Sequence, residues 1–89
     1  MLTVYSKPNC PYCEQAKSWL DSNKIEYRTI DISEDTESLN MLREQGHKTV
    51  PQLYLNGEVL VSGGWEGLKT QDPEVLKEQI ELNDLRGFA

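Results

Sequence analysis

Cys10-Pro11-Tyr12-Cys13 is the stretch on which the interpretation of the whole chain depends. It follows a strand-like run, Leu2-Thr3-Val4-Tyr5, and Pro11 is typical of the first turn of a helix. The start of a helix leaves backbone N–H groups without partners and carries partial positive charge, so a thiol there is stabilised as thiolate. Lys7, a few residues earlier, adds to this effect. Cys10 is therefore the predicted nucleophile.

Cys13 follows one helical turn later and is expected to be more buried and less acidic. It can attack a mixed disulfide that forms on Cys10, so the pair can cycle between dithiol and disulfide without a metal or bound cofactor. The alternative is half of a zinc site, but His47 is the only histidine available to complete it. We therefore predict a redox-active pair and no metal.

Length and composition restrict the remaining possibilities. A chain of 89 residues, 37% of them hydrophobic, predicts one domain over residues 1–89. The net charge of −6 argues against binding to nucleic acid or anionic lipid. There is no signal-peptide pattern and no apolar stretch near the ~20 residues of a membrane helix. The only two cysteines are close together, so there is no disulfide framework. The protein is expected in a reducing compartment, the cytoplasm.

The first half of the chain predicts strand, helix, strand and helix. The first helix is expected to run to about Asn23, and an alternating strand follows over Glu26–Ile32. Ser33 and the acids after it predict the start of a second helix that ends at Gly46. The residues of the first helix expected to face the core are Cys13, Ala16, Trp19 and Leu20. A right-handed strand–helix–strand unit makes the first two strands parallel.

The second half predicts a hairpin and two further helices. Gln52–Leu55 and Glu58–Val61 flank Asn56-Gly57, which favours a tight two-residue turn. A short helix is expected at Trp65–Leu68, and Asp72-Pro73-Glu74 predicts the start of a last helix. The stripe expected to lie against the sheet contains Val75, Leu76, Gln79 and Ile80. The fold class is α/β, with a four-stranded mixed sheet of two parallel strands plus a C-terminal antiparallel hairpin, flanked by helices.

Three motifs in this order resemble a dithiol glutaredoxin of the thioredoxin fold. They are Cys10-Pro11-Tyr12-Cys13, Thr49-Val50-Pro51-Gln52 and Gly63-Gly64, and the resemblance runs from Leu2 to about Leu68. Each motif alone is only suggestive, but the three together at these spacings are specific. The resemblance implies a thiol–disulfide oxidoreductase that uses glutathione as co-substrate and holds no bound cofactor.

The resemblance also implies a glutathione groove. Val50-Pro51 would be a cis peptide that presents the Val50 backbone to an incoming cysteine-containing peptide. From the local sequence alone, a trans proline at the start of a strand is equally compatible. The groove residues implied are Lys7, Tyr12, Thr49, Val50, Pro51, Gly64, Trp65 and Glu66. A local positive patch near the thiols is expected from Lys7, Lys17, Arg43 and Lys48.

One segment departs from the usual pattern. After the two glycines, glutaredoxins commonly have a small or aromatic residue followed by Asp or Ser and then Asp, whereas this chain has Trp65-Glu66-Gly67-Leu68. That segment is also similar to the Trp-Ser-Gly-Phe of redoxins that take electrons from thioredoxin reductase and supply ribonucleotide reductase. Leu42-Arg43-Glu44-Gln45-Gly46 favours the same group. Both electron sources therefore stay open.

The leading hypothesis is a monomeric, glutathione-dependent oxidoreductase that reduces protein disulfides and glutathione mixed disulfides, with ribonucleotide reductase as one possible client. One alternative is a redoxin recycled by thioredoxin reductase. Others are an iron–sulfur cluster carrier, which Pro11 disfavours by family analogy, and a non-catalytic binding module. His47 is either a proton-transfer group or a solvent-exposed polar residue.

Overall fold

Helices and strands alternate through the first half of the chain and are followed by a hairpin and two helices. The computed structural model describes residues 1–86, so residues 87–89 of the predicted domain lie outside the described part. The strands are β1 (Leu2–Ser6), β2 (Tyr27–Asp31), β3 (Gln52–Leu55) and β4 (Glu58–Val61). The helices are α1 (Pro11–Ser22), α2 (Thr36–Glu44), α3 (Gly64–Leu68) and α4 (Pro73–Arg86).

The four strands form one mixed sheet in the order β2-β1-β3-β4. β1 and β2 are parallel, and β1–β3 and β3–β4 are antiparallel. Asn56 and Gly57 take positive φ values of 51° and 85° in the turn between β3 and β4, as a tight hairpin requires. The predicted fold class, with two parallel strands and a C-terminal hairpin, is confirmed.

One face of the sheet carries the apolar core. Leu2, Val4 and Leu53 are fully buried on the two central strands, because alternate strand residues point to the same side. They pack against residues of α1, α3 and α4, namely Ala16, Leu20, Leu68 and Leu76. Each fully buried leucine contributes about 1.5–3 kcal/mol to folding. This packing holds α1, and therefore both cysteines, against the sheet.

The other face of the same strands is polar and aromatic. Thr3 pairs with Tyr54 and Tyr5 pairs with Gln52 across β1 and β3, so these four side chains share one side. The rings of Tyr5 and Tyr54 meet edge to face with centroids 5.3 Å apart. This second face lies beside the end of α2, where Gln45 is the C-terminal cap.

Of Ser33 and the acids after it, which the sequence offered for the start of α2, Ser33 precedes the helix and Asp35 caps it. The Asp31 carboxylate accepts hydrogen bonds from both the backbone N–H and the hydroxyl of Ser33, at 2.9 and 2.6 Å. Ser33 is thereby held in a turn. Asp35 instead accepts the N–H of Ser38 and caps the helix.

The apolar stripe of α4 is narrower than predicted. Leu76 is buried and Ile80 packs against the core, whereas Val75 is 47% exposed and Gln79 is also exposed. Residues four apart share one helix face, and only the face of Leu76 and Ile80 meets the sheet. Trp19 of α1, expected as a core anchor, is half-buried. Within residues 1–86, no helix has the length and apolar character needed to cross a membrane.

Candidate active site

The sulfur of Cys10 caps the N-terminus of α1. Cys10 has extended backbone angles, φ −110° and ψ 103°, and its Sγ accepts the N–H of Cys13 at 3.2 Å. The Cys10 carbonyl accepts the N–H of Glu14 at 3.1 Å and so starts the helix. The residue is 6% exposed. Cys10 therefore lies at the start of a helix, as predicted.

Cys13 lies inside the first turn of α1 and is fully buried. The pKa of the Cys13 thiol is raised from 9.0 to about 12, mainly because burial disfavours the thiolate, and also because of a hydrogen bond and the charge of the neighbouring Cys10. The backbone of Lys7 and the charge of Lys17 lower this pKa by smaller amounts. Cys13 therefore keeps its proton at neutral pH, and it is the more buried of the two cysteines, as expected.

The Val50-Pro51 peptide bond is cis, as the resemblance implied. The thiol of Cys10 donates a long hydrogen bond to the Val50 carbonyl, with Sγ and O 3.8 Å apart. The amide of the buried Gln52 donates to the Thr49 carbonyl at 2.9 Å and so holds the residue before Val50. These contacts place the start of β3 beside the N-terminus of α1.

A groove of about 210 Å³ lies next to the thiol. It is lined by Tyr12, Thr49, Val50, Pro51, Gly63, Gly64, Trp65 and Glu66. Seven of the eight residues predicted for the groove are therefore together, and Tyr12 is 56% exposed at its edge. Gly63 is an addition to the predicted set, and the Gly63-Gly64 motif was the signal for it.

The start of α3 lies against the cis proline. A Cβ built on Gly64 would stand 2.7 Å from the Pro51 carbonyl oxygen, and Gly64 has a positive φ of 58°. Only glycine fits this position without a shift of the backbone. The first helical hydrogen bond of α3 runs from the Gly67 N–H to the Gly63 carbonyl, so the amides of Trp65 and Glu66 precede it. Both residues line the groove.

The carboxylate of Glu66 is paired. It lies 2.6 Å from the ammonium of Lys69, one turn later on the surface of α3. Both side chains are about half exposed or more, and such a surface pair stabilises the fold by at most about 1 kcal/mol. Glu66 is thus at the groove, but a ligand ammonium would compete with Lys69 for it.

A second depression, of about 160 Å³, shares Thr49 and Val50 with the groove. Its ionisable lining residues are Lys7, Arg43, His47 and Lys48. Lys7 therefore lines this second depression and not the groove itself. Three of the four lysines and arginines predicted for a positive patch are together here. Lys17 does not line this depression; it lies on α1, where it pairs with Glu14 at 3.4 Å and its charge acts on Cys13.

His47 is half-buried and hydrogen-bonded. Its Nε2 lies 2.7 Å from the Tyr54 hydroxyl, and that hydroxyl donates to Gln45 Oε1, also at 2.7 Å. Neither Tyr54 nor Gln45 was singled out in the sequence. The available signal was the spacing of Gln52 and Tyr54, which places both on one face of β3. Within residues 1–86, no group of three or more His, Cys, Asp and Glu side chains is arranged to hold a metal ion.

Comparison with known proteins identifies the family. The family model described as Glutaredoxin matches residues 2–60, which is more than half of the chain. The chain belongs to the glutaredoxin family. Members of this family are thiol–disulfide oxidoreductases, so the predicted enzyme class is confirmed together with the fold.

Individual relatives come from two branches of the family. Glutaredoxin 3 of Escherichia coli is 30% identical over 70 residues, which span 78% of this chain and 82% of that protein. The glutaredoxin-like protein NrdH of Lactococcus lactis is 39% identical over 51 residues, 57% of this chain and 71% of that protein. The buckwheat glutaredoxin–glutathione complex shares the fold, with a TM-score of 0.69, 24% identity and coverage of 89% of this chain and 74% of that one.

Proposed function

We propose that this glutaredoxin-family protein is a glutathione-dependent oxidoreductase that reduces glutathione mixed disulfides and protein disulfides. The observation that supports this best is the position of the Cys10 sulfur. It caps α1 within 3.8 Å of the Val50 carbonyl, next to a groove lined by the residues expected for glutathione. Cys10 is the nucleophile in this proposal, and Cys13 is the resolving thiol.

Reduction of a glutathione mixed disulfide needs Cys10 alone. The Cys10 thiolate attacks the glutathione sulfur, a new disulfide forms between them, and the client thiolate leaves and takes a proton from water. A second glutathione thiolate then attacks the glutathione sulfur on Cys10. This releases glutathione disulfide and restores the Cys10 thiolate. The N–H of Cys13, which points at the Cys10 sulfur, stabilises negative charge there before the attack and after release.

Reduction of a protein disulfide uses both cysteines. Cys10 attacks one sulfur of the client, and the other client sulfur leaves as a thiolate. Cys13 then gives up its proton and attacks Cys10, so that the Cys10–Cys13 disulfide forms and the client is released as a dithiol. Because burial holds the proton on Cys13, the departing client thiolate is a suitable acceptor for it. Two glutathione molecules then reduce the pair.

The groove offers what glutathione requires at each end. Glutathione has two carboxylates and one ammonium, and cations or free backbone donors are the natural partners for the carboxylates. Lys7 and its neighbours in the second depression suit one carboxylate, and the amides of Trp65 and Glu66 suit the other. The Glu66 side chain suits the ammonium, in competition with Lys69. The backbone of Val50 is the proposed partner for the cysteine of the ligand.

A second candidate is a redoxin that receives electrons from thioredoxin reductase. It is supported by the relative from Lactococcus lactis, whose name includes NrdH, and by the Glu66–Lys69 pair, which weakens one predicted contact to glutathione. Ribonucleotide reductase is the proposed client in either case, by analogy with the family. We further propose one domain over residues 1–89, a monomeric state and a cytoplasmic location.

Two coupled assays separate the electron sources. Oxidation of NADPH is followed with a protein disulfide as substrate, once with glutathione and glutathione reductase and once with thioredoxin reductase alone. We expect turnover with glutathione and little with thioredoxin reductase. The reverse result would favour the redoxin, and no turnover in either system would contradict the proposed function altogether. Cys10→Ser protein in each assay gives the background rate.

A further inference from the structure

Tyr54 joins three parts of the chain through one buried hydroxyl. The residue lies on β3 and is 2% exposed. Its hydroxyl donates to the side chain of Gln45, the C-terminal cap of α2, and contacts His47 Nε2 in the loop that follows. The His47 and Tyr54 rings also meet edge to face, with centroids 5.8 Å apart. The proposed mechanism uses none of these groups.

The hydrogen-bond directions determine the state of His47. A tyrosine hydroxyl has one proton, and here it is donated to Gln45. His47 Nε2 must therefore carry a proton and donate it to the Tyr54 oxygen. Burial raises the pKa of Tyr54, so its hydroxyl keeps the proton that this chain of bonds requires. The resulting order of donors is His47, Tyr54 and then the acceptor Gln45.

The loop from Gln45 to Val50 is held from β3 at two points. The Tyr54 hydroxyl contacts its first part, at Gln45 and His47, and the amide of Gln52 contacts its last part, at the Thr49 carbonyl. Gln52 and Tyr54 are two residues apart on a strand, so they point to the same side. Between these points lies the segment that leads to the proposed substrate-binding backbone of Val50.

We infer that Tyr54 and His47 are positioning residues, which hold the loop before Pro51 in the conformation that binds the disulfide substrate. This inference rests on the proposed function, because it assumes that the substrate binds along Thr49 and Val50. Neither side chain touches the reacting sulfurs in this scheme. They act by keeping the loop in its binding conformation before substrate arrives, which lowers the cost of ordering it on binding.

Loss of the His47–Tyr54 contact has a specific kinetic consequence. If the loop samples other conformations, only a fraction of molecules is ready to bind, and the apparent affinity falls by that fraction. Bound substrate restores the loop, so the chemical step at Cys10 is unchanged. KM should therefore rise while kcat stays the same. A merely structural loss of stability would leave both unchanged at temperatures where the protein remains folded.

The test compares Tyr54, whose hydroxyl is hydrogen-bonded, with its ring neighbour Tyr5. Tyr54→Phe removes the bonded hydroxyl and keeps the ring. Tyr5→Phe removes a hydroxyl from the adjacent ring, for which no hydrogen bond is present within residues 1–86. With a glutathionylated peptide as substrate, we expect Tyr54→Phe to raise KM by at least about threefold to tenfold, the range for one net hydrogen bond, because its hydroxyl makes two, with kcat unchanged. Tyr5→Phe should match the wild type.

Variants of His47 test the same bond from its other end. His47→Leu removes the donor, and His47→Gln keeps an N–H at a similar distance from the backbone. We expect His47→Leu to raise KM by no more than Tyr54→Phe, since it leaves the Tyr54–Gln45 bond in place, and His47→Gln to retain most of the wild-type KM. The Tyr54→Phe, His47→Leu double variant should be no worse than Tyr54→Phe alone, since that change already removes the bond to His47.

The outcomes are distinguishable from failure of the proposed function. Equal KM values for Tyr54→Phe and Tyr5→Phe, in proteins that urea denaturation shows to be folded, would overturn the positioning role. A strictly additive double variant, or no rescue by His47→Gln, would also contradict it. A wild-type protein that does not reduce the peptide at all would instead remove the function on which the inference rests.

Discussion

The N-cap of α1 and the interior of its first turn hold the same type of side chain in different surroundings. At the N-cap, the Cys10 sulfur accepts a backbone N–H and lies beside a groove. One turn later, Cys13 is fully buried, and its pKa is raised to about 12. The chemical difference between the two thiols therefore comes from their positions on the helix, because burial penalises the charged form and an N–H donor stabilises it.

This separation suits a two-step exchange. A thiol that attacks an external disulfide has to be reachable and ionisable, whereas a resolving thiol has only to reach a disulfide already held beside it. Burial of Cys13 keeps external thiols away from it. In the proposed mechanism it meets only the mixed disulfide on Cys10. Three measurements test this contrast, starting with the one for which we expect the largest effect.

Replacement of the sulfur at the N-cap should remove all activity. In Cys10→Ser the hydroxyl is not ionised near neutral pH and does not attack a disulfide, so reduction of both mixed and protein disulfides should fall to the uncatalysed rate. The coupled NADPH assay measures both. Residual catalysis by this variant would mean that Cys13 attacks external substrates despite its burial, and the contrast between the two positions would be lost.

Replacement of the interior sulfur should divide the two reactions. Cys13→Ser should keep most of the activity on a glutathionylated peptide, because that cycle uses Cys10 and glutathione only. It should lose nearly all reduction of a protein disulfide, since the mixed disulfide with the client is no longer resolved from within. The Cys10→Ser protein is the matched control in both assays. Equal losses in the two reactions would contradict the assigned roles.

Local features of the fold were predictable from the sequence. The Asn56-Gly57 turn and the helix start at Pro11 depend on the φ preferences of a few adjacent residues, and both are where the sequence indicated. The sequence did not decide which side chain caps α2, because Ser33 and Asp35 are both good caps. Asp31 binds Ser33 in a turn, and Asp35 caps the helix.

The candidate site also contains residues that were predictable from the sequence and residues that were not. The groove residues were predictable because they lie in motifs with defined spacing. The surroundings of His47 were not predictable from the sequence. Its partner Tyr54 is on another element, β3, and the orientation of the Tyr54 ring depends on the pairing of β3 with β1. Lys17 was placed with the basic residues by charge alone, but its position on α1 brings it to Glu14. Contacts between elements are the part that the sequence did not predict.

The smallest of the three effects concerns stability at alkaline pH. The pKa of Cys13 is 9.0 in the unfolded chain and about 12 in the folded protein. Between these values the unfolded chain has lost the Cys13 proton and the folded protein has kept it, so the free energy of unfolding decreases as pH rises. Below pH 9.0 both states are protonated, and the contribution is fully present. One such group changes the free energy of unfolding by at most about 1.4 kcal/mol per pH unit.

Urea denaturation of reduced protein over this pH range measures the decrease, with Cys13→Ser and Cys10→Ser compared directly. The serine at position 13 does not titrate, so that variant should lose less stability per pH unit above pH 9.0. Cys10→Ser should keep most of the decrease, because burial is the largest cause of the Cys13 shift. Tyr27 and Tyr54, whose pKa values burial also raises, titrate in both variants and cancel in the comparison. Identical slopes for the two variants would show that the interior position does not hold the proton on its thiol, and the contrast with the N-cap would then rest on access alone.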